Sequence, residues 1–348
     1  MNSRERVRRA VEFEGPDCVP VDWSWKPEQS DVLSVSFRQE YQRVSEFGEF
    51  VEDEWGCVWM RPLHLETMGE VRGHPLQSWS QLGGYRFPDP YAEKRFMGLK
   101  ALVDEYHSPG RYGNRYILGH LGHGLFERLH FLHGFTNVAR DLYVDKTTLG
   151  ALEDKILGFF LGLVEEYVKL GVDAVAFADD WGAQNGLMVR PQLWREFFKP
   201  RYAKLFQAAR GHGLHVWMHS CGYIYDIIRD LIEVGVNVLL LDQPELLGVE
   251  RLGKEFSGKV CFRCPVDIQR TMAEGNLDRI SAAATKLVWH LGNFQGGFIA
   301  GTYGGPASNV LKFVPEGFDR AWRAFRRYGK YPLRPATGCQ RTRRRPRR

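Results

Sequence analysis

Short apolar runs alternate with longer stretches of helical period along most of this chain. VDAVAF (172–177), VNVLLL (236–241) and GGFIA (296–300) are near-continuous apolar runs of strand length, broken only at Asp173 and Asn237. That is the pattern of parallel strands covered on both faces. The pattern predicts strands over 116–119, 174–178, 214–219, 236–241, 260–263 and 297–300. Helices are predicted over 92–105, 125–171, 191–212, 224–234, 249–256, 277–291 and 315–328. Ser3 can cap a first helix that Gly15 and Pro16 end. CVPVDW (18–23) and DEWGCVW (53–59) add two more extended pieces, which makes eight strands. Eight parallel strands with helices between them close into a (β/α)8 TIM-type barrel, a single domain over 1–330 with an elaborated N-terminal region. The stretch 61–90, rich in Gly, Pro and Trp, is the elaboration. No GxGxxG or GxxxxGK[ST] turn follows any strand, which argues against an open nucleotide-binding sheet.

Composition changes this picture only at the end of the chain. The net charge is +5 over 348 residues, but 334–348 holds seven arginines and no acid. Without that segment the body is slightly acidic, so the basic face of a specific nucleic-acid binder is missing. The tail has almost nothing apolar to bury, which predicts a disordered Arg-rich end over 334–348. The six cysteines at 18, 57, 221, 261, 264 and 339 are scattered through a large chain. That spacing favours reduced thiols and a cytoplasmic protein. No window carries the roughly 18 apolar residues of a membrane span, and no membrane association is expected.

Barrel enzymes place their chemistry at the C-terminal ends of the strands. Polar residues recur just past the apolar runs: Glu54, Asp179 and Asp180, His219 and Cys221, Cys264, Tyr303. HSCG (219–222) is the sharpest of these signals. Residues i and i+2 of a strand share a face, with Cα atoms about 6.6 Å apart. An imidazole and a thiolate so placed can converge on one zinc ion; the alternative is a metal-free polar pocket. A catalytic zinc needs a third protein ligand, which must come from another strand end. Cys264 is the favoured candidate, as a thiol ending a later strand beside Pro265, with Asp180 or Glu54 as the carboxylate alternative. By alternation Cys261 should face outward. In FADDWG (177–182) the adjacent Asp179 and Asp180 suit acid–base work, or one of them caps a helix. Glu54, Trp181 and Tyr303 are candidate substrate contacts, and the two rings could equally be core.

FADDWGAQNGLMVRPQLWREFFKPRYAKLF (177–206), HVWMHSCGYIYDIIRDLIEVGVNVL (215–239) and PVDIQ (265–269) resemble the uroporphyrinogen decarboxylase superfamily. The resemblance spans most of 1–328. The decarboxylases themselves bind substrate carboxylates through an arginine-rich N-terminal segment; here PVDWSWKPEQS stands in that region, with no arginine between Arg9 and Arg38. The corrinoid-dependent methyltransferase-like branch opens its zinc site with HxC, which His219 and Cys221 match. Thiol-methylating members carry a further cysteine near the last strand, where this chain reads FIAGTYGGP (298–306). The resemblance therefore implies a zinc methyltransferase that moves a methyl group between a small methylated substrate and a corrinoid protein. The alternatives are a cofactor-free lyase of porphyrin biosynthesis, or a barrel with another activity or only a binding role.

Overall fold

The computed structural model describes residues 1–23, 26–44, 50–61, 69–303 and 311–334. The tail expected to be disordered lies outside the described residues, Arg334 excepted. Eight parallel strands form one sheet in the order β1 (Val21–Asp22), β12 (Phe298–Gly301), β11 (Cys261–Cys264), β10 (Val238–Leu240), β9 (His215–His219), β8 (Ala174–Ala178), β7 (Tyr116–His123), β2 (Val32–Ser36). Helices flank the strands, giving the (β/α)8 barrel that the pattern predicts.

The ring closes between β1 and β2 through one backbone bond and two side chains instead of a ladder. Asp31 donates its N–H to Val21 O at 2.7 Å and accepts the Val21 N–H on its carboxylate at 2.9 Å. Ser30 Oγ accepts the Trp23 N–H at 2.9 Å. Both residues are buried, and they meet backbone groups that would otherwise be orphaned at this seam. The N-terminal helix Ser3–Glu12 then plugs the bottom of the barrel. Its Val7 and Val11 pack with Tyr116, Trp217, Val238, Cys261 and Ile299 in the barrel interior. A larger apolar layer lies between the strands and the outer helices.

One predicted strand is misassigned. The second barrel strand is β2, which the pattern missed, and 53–59 is not in the barrel. Phe50–Asp53 (β4) and Val58–Met60 (β5) pair antiparallel, with Tyr41–Arg43 (β3) and Glu70–Gly73 (β6) at the edges of a separate four-stranded sheet. The turn between β4 and β5 is held by Asp53, whose carboxylate accepts the N–H groups of Trp55 (3.0 Å) and Cys57 (2.9 Å). A strand read across 53–59 therefore runs through a hairpin turn. The long segment predicted as one helix over 191–212 has a π-helical turn at Trp194–Phe198. Pro200, in the first turn of the helical stretch Lys199–Gly211 that follows, has no N–H to give to the preceding turn, and the wider turn absorbs the mismatch. Among the described residues, no helix is long and apolar enough to cross a membrane.

Candidate active site

Two strand ends build the centre of the site. Ala178 at the end of β8 pairs in register with His219 at the end of β9, and the loops beyond stay clamped together. Asp179 N–H donates to His219 O (3.0 Å), Trp181 N–H to Ser220 Oγ (3.0 Å), and Gly182 N–H to Cys221 O (3.2 Å). Gly182 and Gly222 make this clamp possible. A Cβ on Gly182 would lie 2.4 Å from Tyr223 N, and one on Gly222, where φ is +74°, would lie 2.0 Å from Gly182 O. No residue with a side chain could take either place.

Alternation separates the two aspartates. Asp179 points the way Phe177 does, outward to Tyr202 on helix Lys199–Gly211, while Asp180 turns to the barrel mouth. There the Cys221 N–H donates to Asp180 Oδ1 at 2.7 Å, His219 Nε2 lies 3.6 Å from the same oxygen, and Cys221 Sγ lies 3.3 Å from His219 Nε2. Among the described residues, Asp180, His219 and Cys221 are the group whose donor atoms all lie within 4.8 Å of one another. Burial pushes the Cys221 thiol well above its usual range, and the charges of Asp180 and Asp242 push it further. A thiolate here therefore needs a cation.

Cys264 is not in this group. The ladder aligns His219 with Leu240 and Leu240 with Arg263. Position 263 thus continues the inward row, and Cys264 has the opposite parity. Its sulfur is buried in the outer apolar layer, whereas Cys261 faces the barrel interior. The expected orientations of the two cysteines are reversed, because the inward row was counted from the strand end instead of from the neighbouring strand.

Three other expected contacts also sit elsewhere. Trp181 is fully buried, stacked on Phe126 at 4.2 Å, and donates its indole N–H to Tyr202; it is core. Glu54 is paired with Arg95 at 2.6 Å, both nearly buried, beside the antiparallel sheet. Asp179 is wholly buried and anchors the start of helix Leu125–His133, accepting the N–H groups of Phe126 (3.0 Å) and Glu127 (2.8 Å) and the hydroxyl of Tyr202. Tyr303 does lie near the donor group. Burial raises its phenol, and the charges of Asp242, Cys221 and Asp180 raise it further.

The structure also brings in Asp242, a polar residue that the sequence places just past an apolar run, and two residues that sequence reasoning missed, Arg263 and Glu127. Asp242 follows β10 and places Oδ2 3.8 Å from His219 Nδ1. Arg263, pointing up the barrel, donates to Asp22 Oδ2 (2.8 Å) and Thr302 O (2.9 Å) and lies 3.7 Å from Asp242 Oδ1. An arginine inside an apolar strand run was the signal that could have revealed this network. Glu127 is the other addition. It is buried on helix Leu125–His133 and meets His123 Nδ1 at 3.1 Å. Burial, with the charge of Asp180, pushes its carboxyl up to about 8. Asp179 is likewise raised by burial and by Glu127. The three donors on Asp179 favour its anion, so the proton of this pair rests on Glu127.

Residues 130–302 match the family model for Uroporphyrinogen decarboxylase (URO-D). The chain belongs to the uroporphyrinogen decarboxylase superfamily. The matched segment carries Asp179, Asp180, His219, Cys221, Asp242 and Arg263, so the donor group lies within the superfamily portion. No curated protein sequence matches the chain. Among solved structures, a methyltransferase from Methanosarcina mazei shares the fold with a TM-score of 0.70 at 16% identity, over 94% of this chain and 99% of that one. Xylanase 10B from Thermotoga maritima aligns with a TM-score of 0.45 at 9% identity, over 94% and 98% of the two chains. D-psicose 3-epimerase from Clostridium cellulolyticum H10 aligns with a TM-score of 0.41 at 10% identity, over 95% and 93%.

Proposed function

We propose that this member of the uroporphyrinogen decarboxylase superfamily is a zinc-dependent methyltransferase that moves a methyl group between a small methylated substrate and a corrinoid protein. The observation that carries the reading is the group Asp180, His219 and Cys221 at the barrel mouth. Its donor set is one imidazole, one thiol and one carboxylate, which suits zinc. The 3.3 Å and 3.6 Å separations about His219 Nε2 are close to the edges of about 3.3–3.5 Å of a tetrahedron with bonds of about 2.0–2.3 Å. Three protein ligands would leave a fourth position for substrate, and the Asp180 side chain, 37% exposed, keeps that position open to solvent. The Methanosarcina methyltransferase with the same fold supports the reading.

Bound there, zinc supplies a Lewis acid for the methyl-bearing heteroatom. The protein does the rest. Asp242 faces His219 Nδ1 and favours the tautomer with its proton on that nitrogen, which leaves Nε2 as the donor atom. Arg263 balances Asp22 and Asp242 beneath the site. Glu127 keeps a proton near neutral pH and can return it to the heteroatom once the methyl group has left. Charge disfavours the decarboxylase alternative. Among the described residues, Asp22 and Asp242 lie against the Arg263 guanidinium at the mouth, which is therefore already paired, and Asp180 beside His219 adds a further negative charge. A substrate bearing eight carboxylates needs cations that are free to bind it. The described cysteines are free, in keeping with a cytoplasmic protein.

Metal analysis of the purified protein tests the reading, together with the spectroscopic change of a cobalamin acceptor on methylation. We expect about one zinc per chain, lost in His219→Ala and Cys221→Ser along with methyl transfer. Full transfer by a zinc-free chain would overturn the proposal.

A further inference from the structure

A hollow of about 580 Å³ lies between strands β5 and β6 of the antiparallel sheet and helix Leu125–His133 with the start of helix Phe135–Val144. Its volume is that of a small-molecule site. Trp59, His130, Phe131 and Phe135 supply its rings, Glu127 is in its wall, and Asn137 adds a polar group. The rings already pack on one another at preferred angles, with Trp59 against Phe131 at 4.9 Å and 69° and His130 against Phe135 at 5.8 Å and 76°. The side-chain amide of Asn137 donates to Gln77 O (3.2 Å) and His133 O (2.8 Å), which leaves its oxygen as an acceptor. At the rim, Glu70 and Arg72 cancel each other at 2.8 Å.

Helix Leu125–His133 joins this chamber to the donor group: Asp179, the neighbour of Asp180 in the chain, holds the start of the helix through the N–H groups of Phe126 and Glu127, and Glu127 is in the chamber wall. We propose that the chamber is the substrate site and takes an uncharged, flat aromatic molecule; the word substrate rests on the methyltransferase reading, whereas the binding does not. Rings on several sides offer edge-to-face and stacked contacts to a flat ligand. The Asn137 oxygen and the Glu127 carboxyl would orient its polar substituent. A charged ligand would give up its hydration without gaining a free counter-ion at the rim. His130 agrees with this. Burial holds His130, in the chamber wall, down to about 4, with His74 adding to the effect, so an environment that strips the proton from this imidazole is a poor host for a cation.

The test uses three ligands of one shape and different charge: benzamide, benzoate and benzamidinium. Each is titrated into the full chain, both zinc-loaded and metal-stripped, and followed by ligand-observed NMR. Benzamide should bind in the millimolar range, as expected for so small a ligand, and the two ions at least about tenfold more weakly. Thr136→Trp, which places an indole at an exposed position in the chamber wall, should abolish benzamide binding, and Phe135→Ala should weaken it several-fold. Tyr143→Ala, an exposed ring outside the chamber on the same helix, should leave it unchanged. Equal binding of either ion, or unchanged binding by both Thr136→Trp and Phe135→Ala, would overturn the proposal. Benzamide binding to a chain that proves unable to transfer methyl groups would sustain the chamber and sink the methyltransferase reading. Undiminished methyl transfer by Thr136→Trp would do the reverse.

Discussion

Adjacent carboxylates at 179 and 180 should respond in opposite ways to the same change. Asp179 is wholly buried, and its two oxygens satisfy the Phe126 N–H at 3.0 Å, the Glu127 N–H at 2.8 Å and the Tyr202 hydroxyl. Asp179→Asn keeps the shape but replaces one acceptor oxygen with an NH2 group. Whichever way the amide turns, at least one helix N–H then faces another donor. A buried donor left without an acceptor costs about 1–3 kcal/mol. Loss of the negative charge at the helix N-terminus costs a further ~0.5–2 kcal/mol. Relief of the burial that pushes this carboxyl up offsets part of the sum. The net expectation is a loss of about 2–3 kcal/mol, a large share of the roughly 5–15 kcal/mol that holds a domain together. Asp180 is partly exposed and accepts one N–H, from Cys221. Asp180→Asn should cost under about 1 kcal/mol and should lower zinc content instead. Urea unfolding of the metal-stripped proteins measures the two stability costs, with an unchanged slope as the check on two-state behaviour, and metal analysis measures the zinc content. If Asp179→Asn unfolds at the wild-type midpoint yet abolishes activity, Asp179 acts in the chemistry and its reading as a helix anchor is wrong.

Two further outcomes follow from burial and parity. Cys264→Ser should retain full zinc while losing about 1–3 kcal/mol, because it puts a hydroxyl into the outer apolar layer; metal analysis showing a sharp fall in zinc would return Cys264 to the ligand set. In the metal-stripped chain, Glu127 has its carboxyl raised from 4.5 to about 8, so its contribution to stability is full below about pH 4.5 and is lost as the pH rises through about 8. Urea midpoints should therefore fall across that window in the wild type and fall less in Glu127→Gln, and parallel profiles for the two proteins would contradict the assignment of the proton to Glu127.

The barrel was legible because parallel strands covered on both faces must be apolar at nearly every position, so VDAVAF and VNVLLL announce themselves. Strand β2, VLSVS, did not. It lies beside the seam, and two of its five residues are exposed, so its run is broken by polar residues. The turn that splits 53–59 depends on Asp53 accepting backbone N–H groups, which a string of apolar residues does not display. HSCG was legible for a local reason, since two residues on one strand end are fixed relative to each other by the backbone itself. Its third partner was not. Whether 263 or 264 faces inward depends on the register of β11 against β10, and only pairing between strands sets that register. The same holds for the split between Asp179 and Asp180, and for Asp242, Arg263 and Glu127. Sequence alone determined seven of the eight barrel strands, the strand-end location of the donor group and the His219–Cys221 pair, because each follows from periodicity or spacing along one element. Tertiary structure decided which side chains meet that pair, because those contacts cross between elements, where a shift of one residue turns a ligand into core.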